Sequence, residues 1–335
     1  MRVFVPLAVG LFLALGAATS KVIKIPATLE TEPVLTPGDA ADDVAVWIHP
    51  KDPELSIIIG TDKKNGVVLY DLHGKRLKFQ NFGPINNIDI RNGVITATNR
   101  ARNGLDIYRL NYEALELEKV SLHEFTATFP VYGICMSHDP KTNRLYSFIT
   151  GKDGTVEQWQ LTETSDGKVD AKPVRKFQMS SQTEGCVVDD GSQALYLSEE
   201  EVGLWKTSTD PLRKAKPTLI DSTQSGHLTA DIEGVGIYKR KDGKKFIVLS
   251  SQGDDTYVVY EGQGDHRFLL KFKIVKSSQT DGVTHTDGLD IVSQPLGNLF
   301  PHGLLIVQDD NKISFEKGYQ DFKFVSWELL MPYLP

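Results

Sequence analysis

One layout recurs six times along the chain: an apolar strand, a short polar loop, then a strand ending near an aromatic residue. The copies are 57–70 (IIIGTDKKNGVVLY), 95–108 (ITATNRARNGLDIY), 146–159 (YSFITGKDGTVEQW), 195–205 (LYLSEEEVGLW) and 246–260 (FIVLSSQGDDTYVVY). A partial sixth copy occupies 304–312 (LLIVQDDNK). A strand opening on a polar or acidic residue precedes each copy. Counted from Asp43, Asn87, Tyr132, Glu184, Glu233 and Asp287, the steps are 44, 45, 52, 49 and 54 residues. A period of about 40–50 residues with several strands per unit is propeller spacing. The expected fold is therefore all-β, a six-bladed β-propeller spanning 21–335 as one domain. A β-sandwich would also supply strands, but not six copies of one loop chemistry.

The repeat also predicts where the chemistry lies. In an antiparallel meander the start of the first strand and the loop between the second and third share one end. Both should ring one mouth of the central channel. Blades one to three then contribute Lys63, Lys64, Arg100, Arg102 and Lys152. Blades four to six contribute Glu184, Glu199, Glu200, Glu201, Asp231, Glu233, Asp281, Asp287, Asp309 and Asp310, with Asp42 and Asp43 closing the circle. The mouth is expected to be half basic and half acidic. By contrast, Trp47, Trp159, Trp205, Tyr70, Tyr108 and Tyr260 read as blade core.

So many carboxylates at one mouth would repel one another unless cations sat among them. Oxygen donors without a His or Cys cluster select a hard ion such as Ca²⁺, and several ions are expected. The basic half fits phosphate. Cations and lysines facing each other across a cleft suit hydrolysis of a phosphoester by metal-activated water. No Gly-x-Ser-x-Gly elbow, Arg-His-Gly phosphatase motif or phosphate-binding P-loop occurs, so no covalent nucleophile is expected.

The net charge of −7 argues against a nucleic-acid partner. At the N-terminus Arg2 precedes an uncharged run, Val3–Ala18, that contains Pro6 and ends in small residues. Residues 1–20 read as a signal peptide rather than a membrane anchor, so the product is expected to be secreted or periplasmic, with no membrane partner. The two cysteines, Cys135 and Cys186, stand in apolar contexts and read as buried free thiols rather than a bridge. A closed propeller leaves few exposed edges, and a monomer is expected.

Seven segments together resemble the β-propeller phytases. They are 38–47 (GDAADDVAVW), 61–66 (TDKKNG), 86–91 (NNIDIR), 181–185 (SQTEG), 231–234 (DIEG), 250–253 (SSQG) and 286–290 (TDGLD). The likeness runs in order from about Glu30 to Trp327. It implies hydrolysis of phytate, inositol hexakisphosphate, as its calcium complex, with a cleavage pocket adjoining an affinity pocket. By the same resemblance Lys63, Arg100 and the Tyr132 hydroxyl belong to the cleavage and calcium cluster. Lys64 and Lys152 become phosphate-binding groups. Glu30, Asp42, Glu184, Glu200, Asp231, Glu233, Gln252 and Asp287 match calcium-ligand positions near the site. Asp43, Asp281, Asp310 and Asn311 match a calcium site tying the first blade to the last. Three positions depart from the family pattern. Asp153 stands where the family has Glu, the 308–311 loop is one residue shorter with Asp310 replacing Glu, and His285 stands where the family can have Asp. The competing readings are another metal-dependent propeller hydrolase, such as a lactonase, and a non-enzymatic binding propeller. A lactonase would need one central metal and no basic half.

Overall fold

The computed structural model describes residues 21–311 and 318–335. The expected leader, residues 1–20, lies outside the described residues.

Among the described residues, 26 strands form six sheets, each built on a meander of sequential strands; in blade five Val22–Pro26 adds a parallel outer strand beside Phe268–Val275. Blade one runs Ala41–Trp47, Ile57–Asp62, Gly66–Tyr70 and Arg76–Asn81. The inner strands of the next four blades are Ile85–Arg91, Val131–Asp139, Thr183–Asp189 and Ile232–Lys239. Blade six has Leu289–Val292, Leu304–Asp309 and Asp321–Ser326, and its outer strand is Leu29–Glu30 from the start of the fold. The first and last parts of the chain thus close the ring with backbone hydrogen bonds. This arrangement is the expected six-bladed propeller, and the sixth repeat reads as partial because its two strands, Leu304–Asp309 and Asp321–Ser326, stand further apart in sequence than those of the other blades.

The core is divided among six apolar clusters, and each fills one gap between consecutive blades. This explains the unbroken apolar runs in the second strands of blades one, five and six, at 57–59, 246–249 and 304–307. In Ile57-Ile58-Ile59, Ile57 and Ile59 pack toward blade two, while Ile58 packs toward blade six. Successive side chains leave opposite faces of a strand, and both faces of these strands are covered.

The reading of the cysteines is corrected here. Cys135 and Cys186 form a disulfide, with Cα atoms 5.6 Å apart. They lie on the inner strands of blades three and four, on the facing sides of their shared gap. Inner strands of adjacent blades converge on the channel, so residues 51 apart in sequence become neighbours.

Candidate active site

Five inner strands open with the same irregularity. Their pairing register shifts between Ala41 and Val44, Ile85 and Ile88, Val131 and Ile134, Thr183 and Cys186, and Ile232 and Val235. A bulge leaves residues unpaired and re-aims their side chains. The freed residues include Asp42, Asn86, Tyr132, Glu184 and Glu233, so one backbone device repeated by blade gathers the polar residues at one channel mouth.

Neighbouring blades fix these bulges in place. The second-strand hydroxyl of Thr150 donates to the Glu184 carbonyl of the following blade at 3.0 Å. Ser250 does the same to Thr286 at 3.1 Å, and Ser198 donates to the Glu233 carbonyl. The close approach also needs glycine after the site residue. A Cβ on Gly133 would stand 1.9 Å from the Glu184 carbonyl oxygen, and one on Gly185 2.3 Å from that of Glu233.

Two groups of carboxylates result, and they share a member. Asp42, Glu184 and Asp287 offer oxygens within 4.8 Å of one another, and so do Glu184, Glu200 and Glu233. Burial, followed by the charges of the neighbouring acids, pushes Glu184 and Glu233 well above the usual carboxylate range. Burial and then Asp42 do the same to Asp287. Burial also raises Glu200, against the pull of the Gln182 amide, which donates to both its oxygens at 2.6 and 2.8 Å. Glu184 Oε2 and Glu233 Oε2 are buried and accept no hydrogen bond. Buried carboxylates held this close, with unpartnered oxygens and no soft donor, fit a hard divalent cation.

The basic groups stand beside them. Lys63 Nζ lies 2.7 Å from Asp39, 3.1 Å from Asp42 and 3.5 Å from Asp287. Burial works against its charge, but the attraction of Asp42, Asp287 and Asp39 outweighs it and raises the ammonium pKa. Exposed Arg100 donates to the Lys63 carbonyl at 3.3 Å. Exposed Lys152 holds its ammonium 4.3 Å from the centre of the Tyr132 ring. Burial, then Glu184 and its acidic neighbours, keep the Tyr132 hydroxyl protonated. It can donate a proton to an anion or offer a neutral oxygen to a cation.

Other predicted residues fall elsewhere. Lys64 donates to the Pro37 carbonyl at 2.8 Å. Arg102 pairs with buried Asp106, which Lys119 also reaches at 2.9 Å. Glu199 accepts from the Ser181 amide at 2.7 Å and hydroxyl at 2.9 Å, a loop-bracing role. Asp231 is half-buried in front of blade five, and Gln252 donates to the Thr286 carbonyl at 3.4 Å. Asp43 accepts from the Ile88 amide at 3.0 Å, joining blade one to blade two. Asp281 lies 2.6 Å from Lys323, with Glu30 at 2.9 Å, Asp309 at 3.0 Å and Asp321 at 2.8 Å from the same fully buried ammonium. Asp310 accepts from Gln320. With Asn311 it lines a hollow that also holds Asp39 and His285. The structure therefore gathers Asp43, Asp281 and Asp310 into neither carboxylate group.

Three residues of the site carried no role in the sequence reading: Asn86, Gln182 and Asp39. Each contacts a predicted site residue, but only the folded ring brings them together.

Fold and site together define a six-bladed propeller hydrolase whose channel mouth sets buried carboxylates against lysine and arginine. The chain belongs to the phytase family: the family model described as Phytase matches residues 3–334. It is 39% identical over 326 residues to the 3-phytase of Bacillus subtilis (strain 168), covering 93% of this chain and 85% of that protein. Among solved structures, a structural genomics protein of unknown function from Bacteroides thetaiotaomicron VPI-5482 matches with a TM-score of 0.55 and 9% identity. That match covers 91% of this chain and 75% of the other, and it bears on the fold alone.

Proposed function

We propose that this phytase is an exported, calcium-dependent phosphomonoesterase that hydrolyses phytate, taken as its calcium complex, to lower inositol phosphates. The observation that carries this reading is the shared Glu184: it belongs to both carboxylate groups, and one of them also touches Lys63. Asp42, Glu184, Glu200, Glu233 and Asp287 would hold calcium, with Tyr132 as a neutral oxygen donor. Calcium bound there supplies charge neutralisation and Lewis-acid polarisation for a phosphoryl group and a water.

The chain's own residues do the rest. Arg100 offers a planar fork that grips two phosphate oxygens, and Lys63 a point charge beside it. Because Lys63 is already paired with Asp39, an arriving phosphate exchanges one anionic partner for another without leaving the ammonium bare. The Tyr132 hydroxyl, held protonated, donates to a phosphate oxygen. Lys152 is assigned to a neighbouring, non-reacting phosphate. Binding energy from that second phosphate orients the first, which helps the chemical step as well as affinity.

The Cys135–Cys186 bridge supports an oxidising compartment, consistent with export through a leader at residues 1–20. A closed ring of blades leaves only the outermost strand of each blade as an edge, which supports a monomer. Measuring phosphate release from phytate and a simple monophosphate ester, and ring opening of a sugar lactone, each with and without Ca²⁺, tests the reading. Calcium-dependent release from phytate is expected. Turnover of the lactone alone would favour the rival hydrolase.

A further inference from the structure

Asn86 lies at the bulge of blade two and is fully buried, on the channel axis between opposite blades. Its amide nitrogen is 2.7 Å from Glu184 Oε1 of blade four, 2.6 Å from Asn87 Oδ1 and 3.5 Å from Asp42 Oδ1 of blade one. All three neighbours are oxygens. The Asn86 group facing them is the NH₂, which donates to these oxygens and leaves Asn86 Oδ1 buried without a partner. Turning the amide over would set its oxygen against a carboxylate and bury both unpaired.

The consequence for Glu184 is specific. Asn86 engages Oε1, while Oε2 is buried and accepts nothing. Glu184 is the member common to both carboxylate groups. Its orientation therefore sets the geometry of both at once. Without a donor on Oε1, this carboxylate would have no fixed direction. Its like-charged neighbours would turn it away from them.

We propose that Asn86 is a positioning residue: its amide fixes the Glu184 carboxylate so that the second oxygen is presented to a cation, and does so without binding the cation itself. Asn86 stands on none of the calcium-ligand positions that the family resemblance implies. The inference rests on the calcium-dependent reading above and adds to it the residue that presets the shared ligand. Outer partners of metal ligands act this way in general, and losing one typically costs 10–100-fold in metal affinity.

The test compares wild type with Asn86→Leu, which nearly keeps the buried volume and removes the donor, and with Asn86→Ala. Melting in chelator establishes that each variant is folded; where the alanine cavity proves too costly, the leucine variant remains. Calorimetric titration of the substrate-free protein with Ca²⁺ is expected to show about 10–100-fold weaker binding in both variants. The calcium concentration for half-maximal phosphate release should rise by a similar factor, with kcat at saturating calcium falling by less. Europium luminescence lifetimes give the number of waters on a bound ion, and that number should match wild type. One extra water in the variants would make Asn86 a direct ligand and overturn the positioning role. A calcium-dependent wild type with unchanged affinity in both variants would overturn the role of Asn86 alone. A wild-type enzyme indifferent to calcium would overturn the proposed function and this role with it.

Discussion

Lys63 Nζ stands 3.1 Å from Asp42 Oδ2, joining the basic and acidic halves of the mouth in one buried ion pair. The Asp42 side chain is 1% exposed and that of Lys63 11%. Removing the Lys63 charge would leave buried Asp42 without this cation, whereas Lys63 keeps Asp39 and Asp287 if Asp42 is lost.

Lys63→Met keeps the length of the side chain and deletes its charge. It is expected to lower kcat/KM for phytate by about 10²–10³, the usual loss when one preorganised charge-stabilising donor is removed. Steady-state kinetics at saturating calcium check this. A change of less than about threefold would put cleavage away from Lys63.

Lys152 and Glu200 should differ in what they affect. Lys152→Ala should impair phytate hydrolysis strongly and hydrolysis of a simple monophosphate ester weakly, because only phytate offers a second phosphate. Glu200→Ala should impair both by similar factors, since its carboxylate belongs to a group that includes Glu184. Kinetics of both variants on both substrates decide it. Equal losses for Lys152→Ala on the two substrates would assign Lys152 to the cleavage pocket.

The Cys135–Cys186 bridge closes a loop of 51 residues. Chain entropy alone values such a loop at about 4 kcal/mol, and measured effects commonly fall at 2–4 kcal/mol. The double variant Cys135→Ser/Cys186→Ser should therefore melt several degrees lower. Reduction of the wild type should reproduce the shift. Calcium-saturated turnover below the melting range should change little, because both cysteines pack into the apolar cluster between blades three and four.

Acid–base behaviour at the far end of the channel gives a separate prediction. Burial and then the charge of Asp89 push the Asp290 carboxyl up to about 6. A raised carboxyl binds its proton more tightly in the folded state. Stability is therefore greatest below the unfolded carboxylate range, near pH 4, and is lost as pH rises through about 6. Asp290 is only half-buried, so the effect is about 1–2 kcal/mol. Asp290→Asn should remove that part of the decline between pH 4 and 7. Urea unfolding across this range measures it; a variant whose decline parallels wild type would contradict the assignment.

The six blades were legible because each repeats one pattern of apolar strand, polar loop and strand. The positions of Lys63, Glu184, Glu233 and Asp287 were legible for the same reason. What the linear pattern hides is contact across the ring. Cys135 and Cys186 look unrelated until inner strands converge. Arg102 counts as a mouth residue by spacing, yet buried Asp106 four residues on captures it. Asp281 matches a family ligand position in sequence, and the fold also brings the Lys323 ammonium, 42 residues away, to within 2.6 Å of it. Asn86 carries no charge and so drew no role, although only a neutral donor can sit between Glu184 and Asp42 without adding to their repulsion or competing with a cation.

The central claim is that the two carboxylate groups sharing Glu184 are a calcium site required for phytate cleavage. The most direct measurement is phosphate release from phytate by chelator-stripped enzyme, before and after graded addition of Ca²⁺, beside the same titration of Glu184→Gln. The account predicts negligible release without calcium, recovery of the wild type on addition, and a midpoint displaced to far higher calcium in Glu184→Gln. Full turnover by the stripped wild type, or a Glu184→Gln titration superimposable on it, would contradict the account.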